Sequence, residues 1–183
     1  MHASGLIAQA RLSSNSARES VRTGNRSLVR LIRDRLNLKK VYGGNVQTKR
    51  TPDLLAPGLW AMEFRIARSF GDNDAEAENW SVNLLHPYPG NVSVIGDGIK
   101  LVAHEGCERR AAIVIGFEHV PARISLTPLF DAFEAVARGV MRLPITSRVE
   151  EDRDDWVHPV HQRQRVAAWE VLNPEGRRTP NCS

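Results

Sequence analysis

The sequence predicts a mixed α/β fold, and three segments carry the prediction. Residues 59–70 have a period of two, as expected of a strand whose two faces meet different surroundings. Residues 111–117 form a nearly continuous apolar run bounded by charges, which is typical of a central strand buried on both faces. Residues 25–38 place apolar side chains on one helical stripe. Together these segments favour a mixed central sheet flanked by helices.

The other elements follow from capping and turn residues, in chain order. Asn25 is a suitable N-cap for the first helix, and short strands are expected over 40–46 and 50–56. Pro57 and Gly58 then predict a turn before the strand over 59–70. Residues 79–85 suit one or two helical turns. Asn91 or Ser93 can cap a helix that runs to about residue 105.

Two more helices are expected in the second half of the chain. Thr127 and Pro128 are typical of the N-cap and first turn of an amphipathic helix. Residues 162–172 suit a terminal helix. The length of 183 residues indicates one domain. We therefore divide the chain into a flexible basic leader (1–24), an α/β core (25–145) and a C-terminal extension (146–183).

The charge is concentrated near the amino terminus. Residues 1–50 contain eleven Lys or Arg and two acids, so they carry +9, whereas the whole chain has a net charge of +4. A basic region of this kind attracts polyanions such as nucleic acids or anionic lipid heads. A solvated helix face that only keeps the protein soluble is the alternative. On the first helix, helical spacing groups three cations as candidate phosphate contacts: Arg26, Arg30 and Arg33.

The sequence also predicts a cytoplasmic location with no membrane association. No run approaches the roughly 20 apolar residues needed to cross a bilayer. Residues 1–10 have neither the basic start nor the long apolar stretch of a signal peptide. Two cysteines, Cys107 and Cys182, are too few for a disulfide framework, so a reducing compartment is the simpler expectation.

The residues most suited to chemistry lie on a predicted hairpin. Asp53 precedes the turn, and Glu63 and Arg65 follow it, two apart and so on one face of their strand. A two-residue turn would pair Asp53 with Met62, on the opposite face. A three-residue turn would pair Asp53 with Glu63. In that register two carboxylates converge, and a divalent cation relieves their repulsion.

This pattern resembles the PD-(D/E)xK nuclease superfamily of restriction-endonuclease-like proteins. The resemblance lies in Pro52-Asp53, nine intervening residues and Glu63-Phe64-Arg65, on a hairpin with a helix before it and a helix and strand after it. It implies a three-layer core, Mg²⁺ held by Asp53 and Glu63, and hydrolysis of phosphodiesters, with DNA as the expected substrate. The family often takes a further acid from its first helix, for which Glu19 and Asp34 are the candidates.

Arg65 departs from the family pattern, because a lysine is expected there. A guanidinium stays protonated, so it can orient a water or steady a phosphate but cannot accept a proton. The alternative function is therefore a catalytically degenerate module that binds nucleic acid or a protein partner. If the site is merely impaired, Arg65→Lys should raise activity. A homodimer would suit cutting of both strands, although no residue pattern identifies an interface.

A second position of interest lies at the end of the central strand, where sites of α/β proteins gather. Glu118 and His119 follow this strand, although a plain exposed turn is the commoner outcome there. The sequence contains no phosphate-binding P-loop, no dinucleotide fingerprint and no serine-hydrolase motif. Nucleotide-cofactor enzymes and serine hydrolases are therefore not indicated.

Overall fold

A computed structural model describes residues 25–78, 80–87, 93–154 and 158–178, which form a six-stranded mixed sheet and four α-helices. The helices are α1 (Asn25–Leu38), α2 (Val82–Leu85), α3 (Val94–Val102) and α4 (Thr127–Ala135). The strands are β1 (Gln47–Thr48), β2 (Leu54–Ala56), β3 (Trp60–Arg68), β4 (Arg109–Glu118), β5 (Val149–Arg153) and β6 (Arg163–Val171). Their order is β1-β2-β3-β4-β6-β5, with β3 and β4 parallel and the other pairs antiparallel.

The core consists of two apolar layers, one on each face of the sheet. On one face, Leu28 and Ile32 of α1 share a buried cluster with Met62 and Phe64 of β3. The other cluster joins α3 and α4 to the opposite face. The two faces of β3 alternate as its sequence predicts, since residues 60, 62 and 64 belong to the first cluster and residues 61 and 67 to the second. Glu63 and Arg65 therefore lie on the face covered by α3.

Several sequence predictions are confirmed by these elements. The helix over 25–38 and the strands over 59–70 and 111–117 lie where they were expected, within a residue or two at their ends. The hydroxyl of Ser93 caps α3 by accepting a hydrogen bond from the backbone N–H of Gly96 at 3.0 Å. A 3₁₀ helix (Val41–Gly44) replaces most of the short strand expected over 40–46.

The terminal helix expected over 162–172 is wrong, because this segment is strand β6. It lies between β4 and β5, and both of its faces are buried. Val166 and Ala168 pack in the cluster that contains α1, whereas Ala167 and Trp169 pack in the other cluster. An apolar run that serves both faces of a sheet cannot be distinguished from a buried helix by its periodicity.

Strand β6 also changes the domain division. The sheet continues through β5 and β6, beyond residue 145, where the core was expected to end. The proposed leader, residues 1–24, lies outside the described residues.

Two observations bear on the cellular environment. No helix within the described ranges is both long and apolar enough to cross a membrane. Cys107 is disulfide-bonded. Because disulfides persist mainly in oxidising compartments, the cysteine count no longer supports a reducing environment.

Candidate functional site

The turn between β2 and β3 decides whether the predicted acids can meet. Ala56 pairs with Trp60, so the turn contains three residues, 57–59, and the backbone N–H of Leu59 donates to the Ala56 carbonyl at 2.9 Å. One further step of the same register sets Asp53 opposite Glu63. The three-residue turn that the site requires is therefore confirmed.

The Asp53 carboxylate is held in place by contacts with residues of β3. Its Oδ2 accepts a hydrogen bond from the backbone N–H of Phe64 at 3.0 Å and lies 4.0 Å from Nη1 of Arg65. These contacts hold the half-buried carboxylate beside the next strand, within interaction distance of Glu63.

Glu63 is the most perturbed acid of the site. Its side chain is 2% exposed, and its Oε1 is buried and accepts no hydrogen bond from the described residues. Burial, followed by the negative charges of Asp53 and Asp97, raises the pKa of Glu63 to about 9, while Lys100 acts in the opposite direction. Without a cation, Glu63 therefore keeps its proton at neutral pH.

Arg65 is buried and already has partners. Its Nη2 lies 2.6 Å from Oδ1 of Asp97, and its Nη1 donates to the carbonyl oxygen of Phe64 at 3.1 Å. The guanidinium thus links β3 to α3 and lies near the carboxylate of Asp53. With these contacts, Arg65 is better suited to positioning two acids than to contacting a substrate.

Helix α3 contributes two residues that the sequence analysis missed. Asp97 is 1% exposed, and its Oδ1 also accepts a hydrogen bond from Nζ of Lys100 at 2.9 Å. Burial raises the pKa of Asp97, although Arg65 and Lys100 both lower it. The Lys100 side chain is 37% exposed, so its amine borders both the acids and solvent. The available signal was an acid and a lysine three residues apart in an otherwise apolar helix.

Gly98 lets α3 pack closely beside this cluster. A Cβ atom at this position would lie 2.9 Å from Cδ1 of Leu143, which is closer than side chains normally approach. The missing side chain therefore leaves room for Leu143 against α3.

The site suits Mg²⁺ because it contains carboxylate oxygens without hydrogen-bond donors, although the side chains do not surround the ion completely. Oε1 of Glu63 and Oδ2 of Asp97 are buried without a hydrogen-bond donor among the described residues. The described ranges contain no group of three or more His, Cys, Asp or Glu side chains arranged to hold a metal ion. Mg²⁺ nevertheless commonly uses one or two carboxylates, with waters and substrate phosphates completing its octahedron. Asp53 and Glu63 would meet that requirement.

A basic cavity of about 430 Å³ lies next to Asp53. Arg26 and Arg30 of α1 line one side, and Lys49 and Arg50 of the loop between β1 and β2 line another. The structure thus brings two of the three predicted phosphate contacts together with two cations that were not predicted. Four cations against the single carboxylate of Asp53 make this cavity strongly electropositive.

Arg33 and Asp34 do not join this cavity lining. Arg33 pairs with its neighbour Asp34 at 2.6 Å and donates to Oγ1 of Thr48 at 3.4 Å. Asp34 is exposed and takes part in that surface pair, which makes it an unsuitable further metal ligand. Glu19, the other candidate acid, lies outside the described residues.

Glu118 and His119 serve the structure around the end of β4. Oε1 of Glu118 accepts the backbone N–H of Leu126 at 2.6 Å and pairs with Arg165 at 3.2 Å. His119 pairs with Asp74 at 2.9 Å. These contacts satisfy the polar groups of a strand end, so we assign no chemical role to them.

The residues that converge on the face of β3 next to α3 are two predicted acids, Asp53 and Glu63, with Arg65, Asp97 and Lys100. They combine a carboxylate pair, a buried guanidinium and a partly exposed amine at one place in the sheet. No protein-family model, curated protein or solved structure matches this chain.

Proposed function

We propose that this protein is a Mg²⁺-dependent phosphodiesterase of nucleic acid, with DNA as the expected substrate and a restriction-endonuclease-like core. The observation that carries the proposal is the hairpin register, which sets Asp53 beside Glu63. The mixed sheet with helices on both faces is compatible with that core. A homodimer and a cytoplasmic location stay predictions.

Asp53 and Glu63 would hold the cation. A bound Mg²⁺ would supply a coordinated water of lowered pKa and would neutralise charge on the phosphate. In the hydrolysis, the water oxygen bonds to phosphorus and the bond from phosphorus to the leaving sugar oxygen breaks. One proton leaves the water, and one reaches the leaving oxygen. The carboxylate pair positions the reactants for this exchange.

Lys100 takes the role for which Arg65 is unsuited. The amine of Lys100 is partly exposed beside the acids, so it can contact the attacking water or a phosphate oxygen. Arg65 positions Asp97 and contributes a fixed positive charge. The lysine that the family pattern requires is therefore supplied from α3 in this proposal, rather than from the strand that carries Glu63.

Removal of the Asp53 charge is expected to abolish metal-dependent activity. We expect Asp53→Asn to lower Mg²⁺-dependent cleavage of a DNA substrate by more than roughly 100-fold, since even outer-shell partners of a metal cost 10- to 100-fold. The measurement is cleavage on gels with and without Mg²⁺. Asp34→Asn, an exposed acid on α1, is the matched control and should leave activity unchanged. Equal activity in wild type and Asp53→Asn would refute the assignment.

A degenerate binding module is the second candidate. It is favoured by Arg65, which stands at the position of the motif lysine and forms ion pairs with Asp97 and Asp53. In that case the fold would bind nucleic acid or a protein partner without cleavage. Titration with Mg²⁺ separates the two functions, because a degenerate site should show no specific binding heat.

A further inference from the structure

In the part of the chain that the structure describes, the cations of the basic cavity have no ion-pair partner. Many other arginines are neutralised, as Arg109 is by Glu170 at 2.7 Å and Arg163 by Asp154 at 2.5 Å. Within the described ranges, no ion pair or side-chain hydrogen bond engages the four cations of the cavity, which are Arg26, Arg30, Lys49 and Arg50. Unpaired cations held around one cavity repel each other, so an anion that enters it is stabilised.

The charge of the cavity matches a phosphomonoester better than a phosphodiester. An internal phosphodiester carries one negative charge, whereas a terminal phosphate carries about −1.5 to −2 at pH 7 and presents three acceptor oxygens. The cavity offers four cations, and Thr48 also lines it. Its volume of about 430 Å³ falls in the range of single-ligand sites.

The position of the cavity connects it to the chemistry. Asp53 lines the cavity and also contacts the β3 backbone beside Glu63. A group bound among the four cations would therefore be adjacent to Asp53, one of the two acids that are proposed to hold Mg²⁺. Oδ2 of Asp53 accepts a hydrogen bond from the backbone N–H of Phe64, so this oxygen of the carboxylate is directed toward β3.

We infer that this cavity binds the terminal phosphate of a nucleic-acid strand, and that it directs hydrolysis to the first phosphodiester bonds next to that end. The inference rests on the proposed function and deepens it, because it makes the substrate a phosphorylated strand end. The products are a short nucleotide fragment that leaves with the terminal phosphate and a strand shortened by that fragment. Each cut consumes one water and breaks one bond from phosphorus to a sugar oxygen.

The test compares binding of four single-stranded DNA oligonucleotides of one sequence, without divalent cations and at fixed salt. They carry a 5′-phosphate, a 3′-phosphate, hydroxyls at both ends, or no ends because the strand is circular. We expect one of the two phosphates to raise affinity at least about 10-fold over the hydroxyl form, since hydrogen bonds to charged groups are among the strongest. The 5′ and 3′ arms identify which end is bound.

Variants locate the effect in the cavity. Arg30→Gln combined with Lys49→Gln should erase the preference for the phosphate, while Arg33→Gln, on the same helix but outside the cavity, should retain it. Equal affinity for all linear forms in the wild type would overturn the inference, as would a phosphate preference that survives the double variant.

Cleavage of the same four substrates with Mg²⁺ separates this inference from the proposed function. Cleavage of the circular strand as fast as the phosphorylated linear strands would overturn end-directed hydrolysis and leave the phosphodiesterase assignment standing. A phosphate preference in binding with no Mg²⁺-dependent cleavage of any substrate would overturn the proposed function and leave the phosphate cavity standing.

Discussion

Replacement of Glu63 by glutamine is expected to stabilise the protein while it abolishes activity. Burial and the neighbouring carboxylates of Asp53 and Asp97 hold the pKa of Glu63 at about 9. The carboxyl therefore keeps a proton in the folded state that it loses in the unfolded state, where its pKa is near the ordinary value of 4.5. Glutamine has nearly the same shape as the protonated side chain and never ionises. The substitution therefore removes a cost of folding that exists only because the site needs a carboxylate.

The pH dependence of this effect has a definite sign. Between about pH 4.5 and 9 the folded state binds one more proton at Glu63 than the unfolded state does, so the stability of the wild type falls as the pH rises through that window. The slope from one such group is at most about 1.4 kcal/mol per pH unit. We expect Glu63→Gln to be nearly neutral at pH 4.5 and more stable than wild type by on the order of a few kcal/mol at pH 8.

Urea unfolding at several pH values checks this expectation. Glu175→Gln, on an exposed turn, provides a matched control for the loss of one carboxylate and should differ from wild type by the same small amount at every pH. A Glu63→Gln variant that is less stable than wild type at pH 8 would contradict the assigned protonation of Glu63.

Removal of the Lys100 amine is expected to slow catalysis strongly without loss of the fold. We expect Lys100→Met to lower the rate of Mg²⁺-dependent cleavage by roughly 10²- to 10⁴-fold, the usual contribution of one proton-transfer or charge-stabilising group. Asp97 keeps its contact with Arg65 at 2.6 Å, so its charge stays compensated. Thermal unfolding and Mg²⁺ binding should therefore change little, which separates this loss from a structural one.

Arg65→Lys provides the complementary variant. From the sequence alone, this change should raise activity if the site is merely impaired. The structure alters the expectation, because the Arg65 guanidinium contacts both Asp97 and the Phe64 carbonyl. A lysine lacks the planar fork needed for both contacts. We therefore expect Arg65→Lys to destabilise the protein and to leave activity unimproved.

The two variants together distinguish the sources of the catalytic amine. Cleavage rates at saturating Mg²⁺, measured beside melting temperatures, are the readout. Full activity in Lys100→Met, with a gain of activity in Arg65→Lys, would show that the strand position and not α3 supplies the lysine role.

The central part of the fold was predictable because its elements have strong local signals. The period of two in β3, the apolar run of β4 and the cap of Ser93 on α3 are all visible in the residues themselves. Strand β6 was not predictable, because its identity depends on the partners on either side of it. Its apolar residues pack on both faces of the sheet, and the segment forms a strand because it pairs with β4 and β5.

The candidate site was predictable in its hairpin residues, Asp53, Glu63 and Arg65, and not in Asp97 and Lys100 of α3. From the sequence, whether Asp53 and Glu63 lie opposite each other depended only on the length of the turn between their strands. The turn has the three residues that this pairing requires. Lys100 lies 37 residues after Glu63 in the chain and reaches the site only through the packing of α3 on the sheet. Contacts between elements that are distant in sequence leave no periodic signal.

The central claim is that Asp53 and Glu63 together bind a divalent cation. Titration calorimetry with Mg²⁺ tests it directly, in two buffers of different ionisation enthalpy. Because the cation must displace the proton of Glu63, binding near pH 7 should release a proton and its affinity should rise with pH.

The Glu63→Gln variant is the decisive comparison, since it is expected to be folded and more stable. We predict a saturable heat in the wild type that depends on the buffer, and its loss in both Asp53→Asn and Glu63→Gln. A wild type that gives no binding heat, or a Glu63→Gln variant that binds Mg²⁺ as tightly as the wild type, would contradict the claim.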